Sequence, residues 1–251
     1  MEQDIKLIAL DMDGTLLKDN HEVSPANRKA IKVAKEQGIH IVLSTGRSIL
    51  SCKEYADSLE LDSYLVTVNG SEIWDTQGNL IDQNPIDAEL IEMLWDLKMK
   101  HNTQYWAISS EKVWRDDFPT DIQSQNWLKF GFHFEDAKIQ KEVTELLTKH
   151  EALEVSNSSP TNLEINAAGI NKGFALEKVC NWLDITMDNV MAVGDSLNDI
   201  VMIKEAGVGV AMGNAQQKVK DAANWVTSSN NDDGVARAIE KFILDKSKAV
   251  E

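Results

Sequence analysis

The sequence predicts an α/β fold in which a parallel-sheet core is interrupted by an inserted α+β unit. Three observations predict it. Short apolar runs, Leu7–Leu10, His40–Leu43 and Val190–Val193 among them, alternate with helical patterns towards both ends of the chain. Strands separated by helices need crossover connections, and these favour parallel pairing under a cover of helices. Between about Pro85 and Leu163 the texture changes to two helical patterns mixed with short strands, and four of the seven tryptophans fall there: Trp95, Trp106, Trp114 and Trp127. Residues 1–84 and 164–251 are therefore expected to form the core, and 85–163 the insert.

In order, the first strand is Leu7–Leu10. Ser24-Pro25 opens a helix, with Ser24 as the cap and Pro25 in the first turn; Ala30, Ile31 and Ala34 share its apolar face and Gly38 closes it. The strand His40–Leu43 ends at Ser44-Thr45-Gly46-Arg47, a helix follows from about Ile49 to Leu59, and the strand Tyr64–Val68 ends at Asn69-Gly70. Ile73–Asp75 and Leu80-Ile81 flank Thr76-Gln77-Gly78-Asn79, a hairpin signal. The insert's helices lie near Ala88–Lys100 and Ala137–His150. Afterwards come a helix, Lys172–Trp182, the strand Val190–Val193, a helix near Asp199–Ala206, the strands Val208–Met212 and Trp225–Thr227, and a last helix, Val235–Leu244. The polar stretch Ser228–Gly234 reads as an exposed loop.

An apolar fraction of 43% and a charged fraction of 26% are those of an ordinary globular protein. The net charge of −16 argues against a nucleic-acid backbone or an anionic membrane as the main partner. It says little about small anions, because a bound cation reverses the local field. Cys52 and Cys180 have no metal-binding or redox spacing and read as free thiols. No apolar run approaches the ~20 residues of a membrane span and no signal peptide is evident, so a cytoplasmic setting is expected.

The chemistry begins at Asp11-Met12-Asp13-Gly14-Thr15, directly after the first strand. Side chains alternate along an extended chain, so Asp11 and Asp13 would share a face. Two neighbouring carboxylates stay ionised together if a divalent cation lies between them, and Gly14 permits a sharp turn. A metal site with a carboxylate nucleophile fits this pentapeptide, and so does a plain acidic turn. Three further polar segments border strands or open helices: Ser44–Arg47, Asn171-Lys172-Gly173 and Gly194–Asp199. Ligands of open α/β sheets bind beyond the carboxyl ends of the strands, where these segments would converge. Acids at one end and hydroxyls and cations at the other suit a phosphoryl group bridged to a hard cation.

The four motifs in this order, DMDGTLL at 11–17, STGR at 44–47, Lys172 in NKG and GDSLND at 194–199, resemble those of the haloacid dehalogenase-like hydrolases, and within them the Cof-type phosphatases. The resemblance covers nearly the whole chain. It implies a Rossmann-like core with an inserted C2-type cap, and a Mg2+-dependent phosphatase that hydrolyses small phosphorylated metabolites, sugar or nucleotide-precursor phosphates, through an aspartyl-phosphate. By the same resemblance Asp11 would be the nucleophile and Asp13 the general acid and base. Met12 through its backbone, Thr45, Gly46, Lys172 and Asn198 would bind the phosphoryl group. Asp11, Asp195 and the backbone carbonyl of Asp13 would hold the Mg2+. Asp199 would orient Lys172, and Arg47 would touch the substrate or the cap, or pair with an acidic neighbour. The partner implied is a small phosphate ester, with the chain a monomer or weak homodimer. A phosphomutase on the same scaffold, or a non-enzymatic module binding phosphate and Mg2+, shares much of this pattern. The insert's tryptophans read as core before substrate platform, and Trp114-Arg115-Asp116-Asp117 reads as a plain surface loop before a site, though it offers groups a sugar or polyol phosphate could use.

Overall fold

In a computed structural model, residues 4–244 are described. They form two sheets, each with its own apolar core. The first sheet contains β1 (Leu7–Leu10), β2 (His40–Ser44), β3 (Leu65–Thr67), β4 (Glu72–Trp74), β5 (Leu80–Gln83), β11 (Val190–Gly194), β12 (Val208–Ala211) and β13 (Trp225–Val226), in the order β13-β12-β11-β1-β2-β3-β4-β5. The pairings from β13 to β3 are parallel, and the hairpin of β4 and β5 adds two antiparallel strands at one edge. Strands β1 and β11 are buried throughout, as a sheet covered on both faces requires.

The helices follow the sequence signals closely. Helix α1 (Pro25–Glu36) starts where Ser24 accepts a hydrogen bond from the Asn27 N–H, and Gly38 takes the left-handed conformation after its end, at φ 82°. Helices α2 (Ile49–Ser58) and α5 (Lys172–Trp182) also lie where they are expected. The stretch near Asp199–Ala206 divides into a 3₁₀ turn, Leu197–Asp199, and helix α6 (Ile200–Glu205), because the Asp199 carboxylate turns back to accept from the N–H groups of Asp195 and Ser196. Helix α7 (Gln217–Ala222) has no counterpart in the sequence reading; it is short, with Val219 its one fully buried residue. The last helix, α8 (Gly234–Ile239), continues as a wider turn to Leu244. The segment Ser228–Gly234 is less exposed than expected: Asn230 is buried, donating to the Leu17 carbonyl and to Asp19.

The second sheet has the order β7-β6-β8-β10-β9 and is antiparallel. Its strands are β6 (Gln104–Ser109), β7 (Val113–Trp114), β8 (Trp127–His133), β9 (Leu153–Ser156) and β10 (Asn162–Ala167). Strand β10 lies wholly in this sheet, held between β8 and β9, so the insert extends to Ala167, beyond the boundary expected at residue 163. One face of the sheet packs Tyr105, Ala107, Phe130, Phe132, Leu163 and Ile165 against α3 (Ala88–His101) and α4 (Ala137–Leu147). By alternation the opposite face carries Trp106 and Ile108 of β6, Lys129, Gly131 and His133 of β8, and Asn162, Glu164 and Asn166 of β10. That second face borders the carboxyl end of the first sheet.

Candidate active site

The register of the first sheet assembles the site. Leu10 lies level with Val193 on one side and with Leu43 on the other, so the loops after β1, β11 and β2 leave the sheet together. Gly14 is required there twice over: its φ is +79°, and a Cβ would stand 2.6 Å from Asp195 Oδ2. Gly194 likewise makes room for Asp199, whose carboxylate a Cβ would meet at 2.5–2.6 Å.

Asp11 is buried, and its Oδ1 accepts from Lys172 Nζ at 2.6 Å. Lys172 has no exposed surface and reaches Asp199 Oδ1 at the same 2.6 Å. Asp199 thus accepts from Lys172 on one oxygen and from two backbone N–H groups on the other. Asp195 accepts from Ser196 Oγ at 3.0 Å and from Thr15 Oγ1 at 3.3 Å. Carboxylate oxygens of Asp11, Asp195 and Asp199 all lie within 4.8 Å of one another.

Three such carboxylates served by one lysine leave negative charge uncompensated. Burial, with Asp199 adding to it, raises the Asp11 carboxyl well above its ordinary range against the pull of Lys172. Burial and then Asp199 push Asp195 up to about 7. Burial works against the charge of Lys172, but Asp11 and Asp199 outweigh it and raise the lysine. An all-oxygen, acid-rich set of this kind fits a hard divalent cation. Asp199 accepts three hydrogen bonds, Asp195 two and Asp11 the one from Lys172.

Asp13 stands apart from this cluster. Its carboxylate is half exposed and forms a two-point pair with Arg47, Nε to Oδ2 at 2.7 Å and Nη2 to Oδ1 at 2.5 Å. The Met12 side chain is in the core. The Thr45 hydroxyl accepts from the Arg47 N–H at 3.2 Å, while Gly46 lines the cleft with Asp11, Asp13 and Asp195. Asn198 Nδ2 donates to Asn69 Oδ1 and Glu164 Oε2, and its Oδ1 has no partner.

The sequence reading missed two charged residues of the insert. Lys129 and Glu164 are buried and paired at 3.3 Å, and Lys129 Nζ also donates to the Gly46 carbonyl at 2.6 Å. Asn69 and Ser158 donate to the same Glu164 carboxylate. Burial lowers the Lys129 ammonium, while Lys129 and these donors overcome the burial of Glu164 and lower its carboxyl. Their neighbours, Leu128 and Phe130 for Lys129 and Leu163 and Ile165 for Glu164, give a signal of burial but none of their pairing or of the site they face. Asn69 reaches the pair because Val68, Asn69 and Gly70 all have positive φ, a strained conformation for Val68 in particular.

Fold and site define an enzyme of phosphoryl chemistry, and comparison with known proteins agrees. The family model of the haloacid dehalogenase-like hydrolases matches residues 8–126 and 115–239. The 5-amino-6-(5-phospho-D-ribitylamino)uracil phosphatase YcsE of Bacillus subtilis is 56% identical over 241 residues, covering 96% of this chain and 97% of that protein. Among solved structures, a haloacid dehalogenase-like hydrolase from B. subtilis superposes with a TM-score of 0.88 at 25% identity, over 94% of this chain and 99% of its own. One from Bacteroides thetaiotaomicron gives 0.80 at 31% identity, over 95% and 100%. The protein is a phosphatase, a phosphoric monoester hydrolase. The chain belongs to the haloacid dehalogenase-like hydrolases, Cof type. Among the described residues no helix is long and apolar enough to cross a membrane.

Proposed function

We propose that the chain is a Mg2+-dependent phosphatase working through an aspartyl-phosphate on Asp11, and that its substrate is 5-amino-6-(5-phospho-D-ribitylamino)uracil. The observation that carries the chemistry is the buried Asp11 carboxylate at the edge of a cleft, held by Lys172 and accompanied by Asp195. The substrate rests on the 56% identity to YcsE over nearly the full length of both chains.

Asp11 attacks phosphorus, and the bond to the leaving oxygen breaks as the aspartyl-phosphate forms. Lys172 offsets charge on Asp11 and on the phosphoryl oxygens, and Asp199 keeps the lysine aimed. Asp13 gives a proton to the leaving oxygen and takes one from the water that then hydrolyses the acyl phosphate. The incoming phosphate competes with Asp13 for Arg47, and release from that pair frees the Asp13 carboxyl to turn to the leaving oxygen. The loop of Thr45 and Gly46, with the Met12 backbone and Asn198, surrounds the phosphoryl oxygens. Asp11, Asp195 and the Asp13 backbone carbonyl would hold the Mg2+, which supplies charge neutralisation and orients the phosphate. The insert, residues 85–167, acts as a cap that excludes water and reads the leaving group.

The test is inorganic phosphate release from the ribitylaminouracil ester and from a panel of sugar, polyol and nucleotide phosphates, with Mg2+ and with chelator, using Asp11→Asn as the blank. Mg2+-dependent release that favours the ribitylaminouracil ester and disappears in the variant supports the proposal. Release that survives chelation, or persists in folded Asp11→Asn protein, defeats the mechanism. A clear preference for another ester defeats the substrate.

A further inference from the structure

The cleft has a second end that the phosphoryl chemistry does not use. Beyond the acids its wall is Trp106, Ile108 and Val113 from β6 and β7, with Arg115 at the rim. Trp106 and Arg115 also line a larger cavity of about 720 Å³ beside the insert's sheet.

Trp106 differs from the other tryptophans of the insert. Trp95 stacks on Phe118 with ring centroids 4.0 Å apart, and Trp114 and Trp127 lie against each other at 5.9 Å. Among the described residues, no aromatic ring pairs with Trp106 and no protein group accepts its Nε1–H. Its ring lies instead flat on β8 over Gly131, where a Cβ would stand 2.1 Å from Cε2 and 2.4 Å from Cζ2. Glycine at 131 is what allows the indole to rest on the sheet, beside the small apolar cluster of Val68, Ile108 and Leu128 and at the wall of the cleft. The Arg115 guanidinium is exposed and makes no ion pair among the described residues.

We propose that Trp106, seated on Gly131, is the platform for a flat conjugated ring at the far end of the leaving group, and that Arg115 donates to that ring's carbonyl oxygens. The ligand class is a phosphate monoester of an open polyol chain ending in a carbonyl-bearing heterocycle. An indole face with one free N–H and a free guanidinium match such a ring: stacking on one side, hydrogen bonds at the edge. The polyol spans from the acids to the indole. This deepens the reading under Proposed function and rests on it for the identity of the phosphorylated end.

Affinity separates the two. In the Asp11→Asn background with Mg2+, binding of the ribitylaminouracil ester is compared by calorimetry with that of ribitol 5-phosphate and glucose 6-phosphate. The ring ester is expected to bind at least about tenfold more tightly. Trp106→Ala is expected to shrink that margin about tenfold, Trp106→Phe to retain most of it, and Gly131→Ala to shrink it by displacing the indole. Arg115→Ala is expected to reduce it severalfold. Equal affinity for the three esters overturns the inference even if the wild type hydrolyses the ring ester. So does a Trp106→Ala loss equal for all three, or a Phe variant no better than Ala, which would mark a merely structural role. A binding margin that depends on Trp106, in a protein that releases no phosphate, upholds the platform while the hydrolytic mechanism fails.

Discussion

At the scale of single residues, the site is held by an imbalance of charge. Lys172 lies between Asp11 and Asp199 with no exposure to water, so its removal strands two buried carboxylates. Lys172→Met is expected to cost about 3–5 kcal/mol in urea unfolding and at least about 100-fold in kcat. A variant of wild-type stability would mean that the lysine is not what compensates these acids. Asp195 gives the sign of the pH dependence. Its folded value, about 7, lies above its ordinary 3.8, so its contribution to stability is complete below the lower value and is lost as pH rises through about 7. A bound divalent cation removes that loss. Mg2+ is therefore expected to raise Tm by several degrees at about pH 8 and by less at about pH 5.5, and Asp195→Ala to abolish the difference. Thermal melts with and without chelator at the two pH values decide it, and an equal Mg2+ shift at both would exclude this role for Asp195.

At the scale of elements, the strands β8 and β10 bring a cation and an acid from the insert to a core loop. The Lys129 bond to the Gly46 carbonyl fixes the segment between Thr45 and Arg47, which also carries the partner of Asp13. Lys129→Met leaves Glu164 buried with only neutral donors, at a cost of about 3–5 kcal/mol, whereas Lys129→Met with Glu164→Leu recovers much of that stability. Turnover is expected to stay about tenfold low in both, since neither restores the donor to Gly46. Recovery of kcat in the double variant would show that the pair serves stability alone. These two residues also mark where sequence reading stopped. Strands and helices of the core were legible because Leu7–Leu10 and Val190–Val193 are continuous apolar runs and Ser24-Pro25 is a strong helix start. The clustering of Asp11, Lys172, Asp195 and Asp199 was legible because each follows a strand or opens a helix at one end of a parallel sheet. Lys129, Glu164 and Trp106 were not, because which face of an antiparallel strand meets the core depends on pairing across Gln104–His133 and Asn162–His133, and no local pattern encodes those pairs.

At the scale of the whole molecule, the two sheets meet through polar bonds around the cleft. Ser71 donates to the Leu128 carbonyl and Asn166 to the Val68 carbonyl; the Asn198 N–H donates to the Asn157 carbonyl at 3.0 Å. The apolar part of this junction is one small cluster, Val68, Ile108 and Leu128, while the large cores stay separate on the far sides of the two sheets. Polar groups at such a junction are satisfied by water when it parts, so opening exposes little apolar surface and costs far less than unfolding either core. A cleft of about 290 Å³ lined from both sides widens on such opening, which eases entry and release of a phosphate ester. Anions bound between the sheets then favour the closed state by bonding to both. With Mg2+ and inorganic phosphate, amide hydrogen exchange is expected to slow about tenfold or more in peptides covering 157–159 and 194–199, relative to β1, whose amides lie in the interior of the first sheet. Slowing confined to 11–15 and 44–47, with the Asn198 amide unaffected, would mean that the ligand binds the core loops alone and that the insert does not close on it.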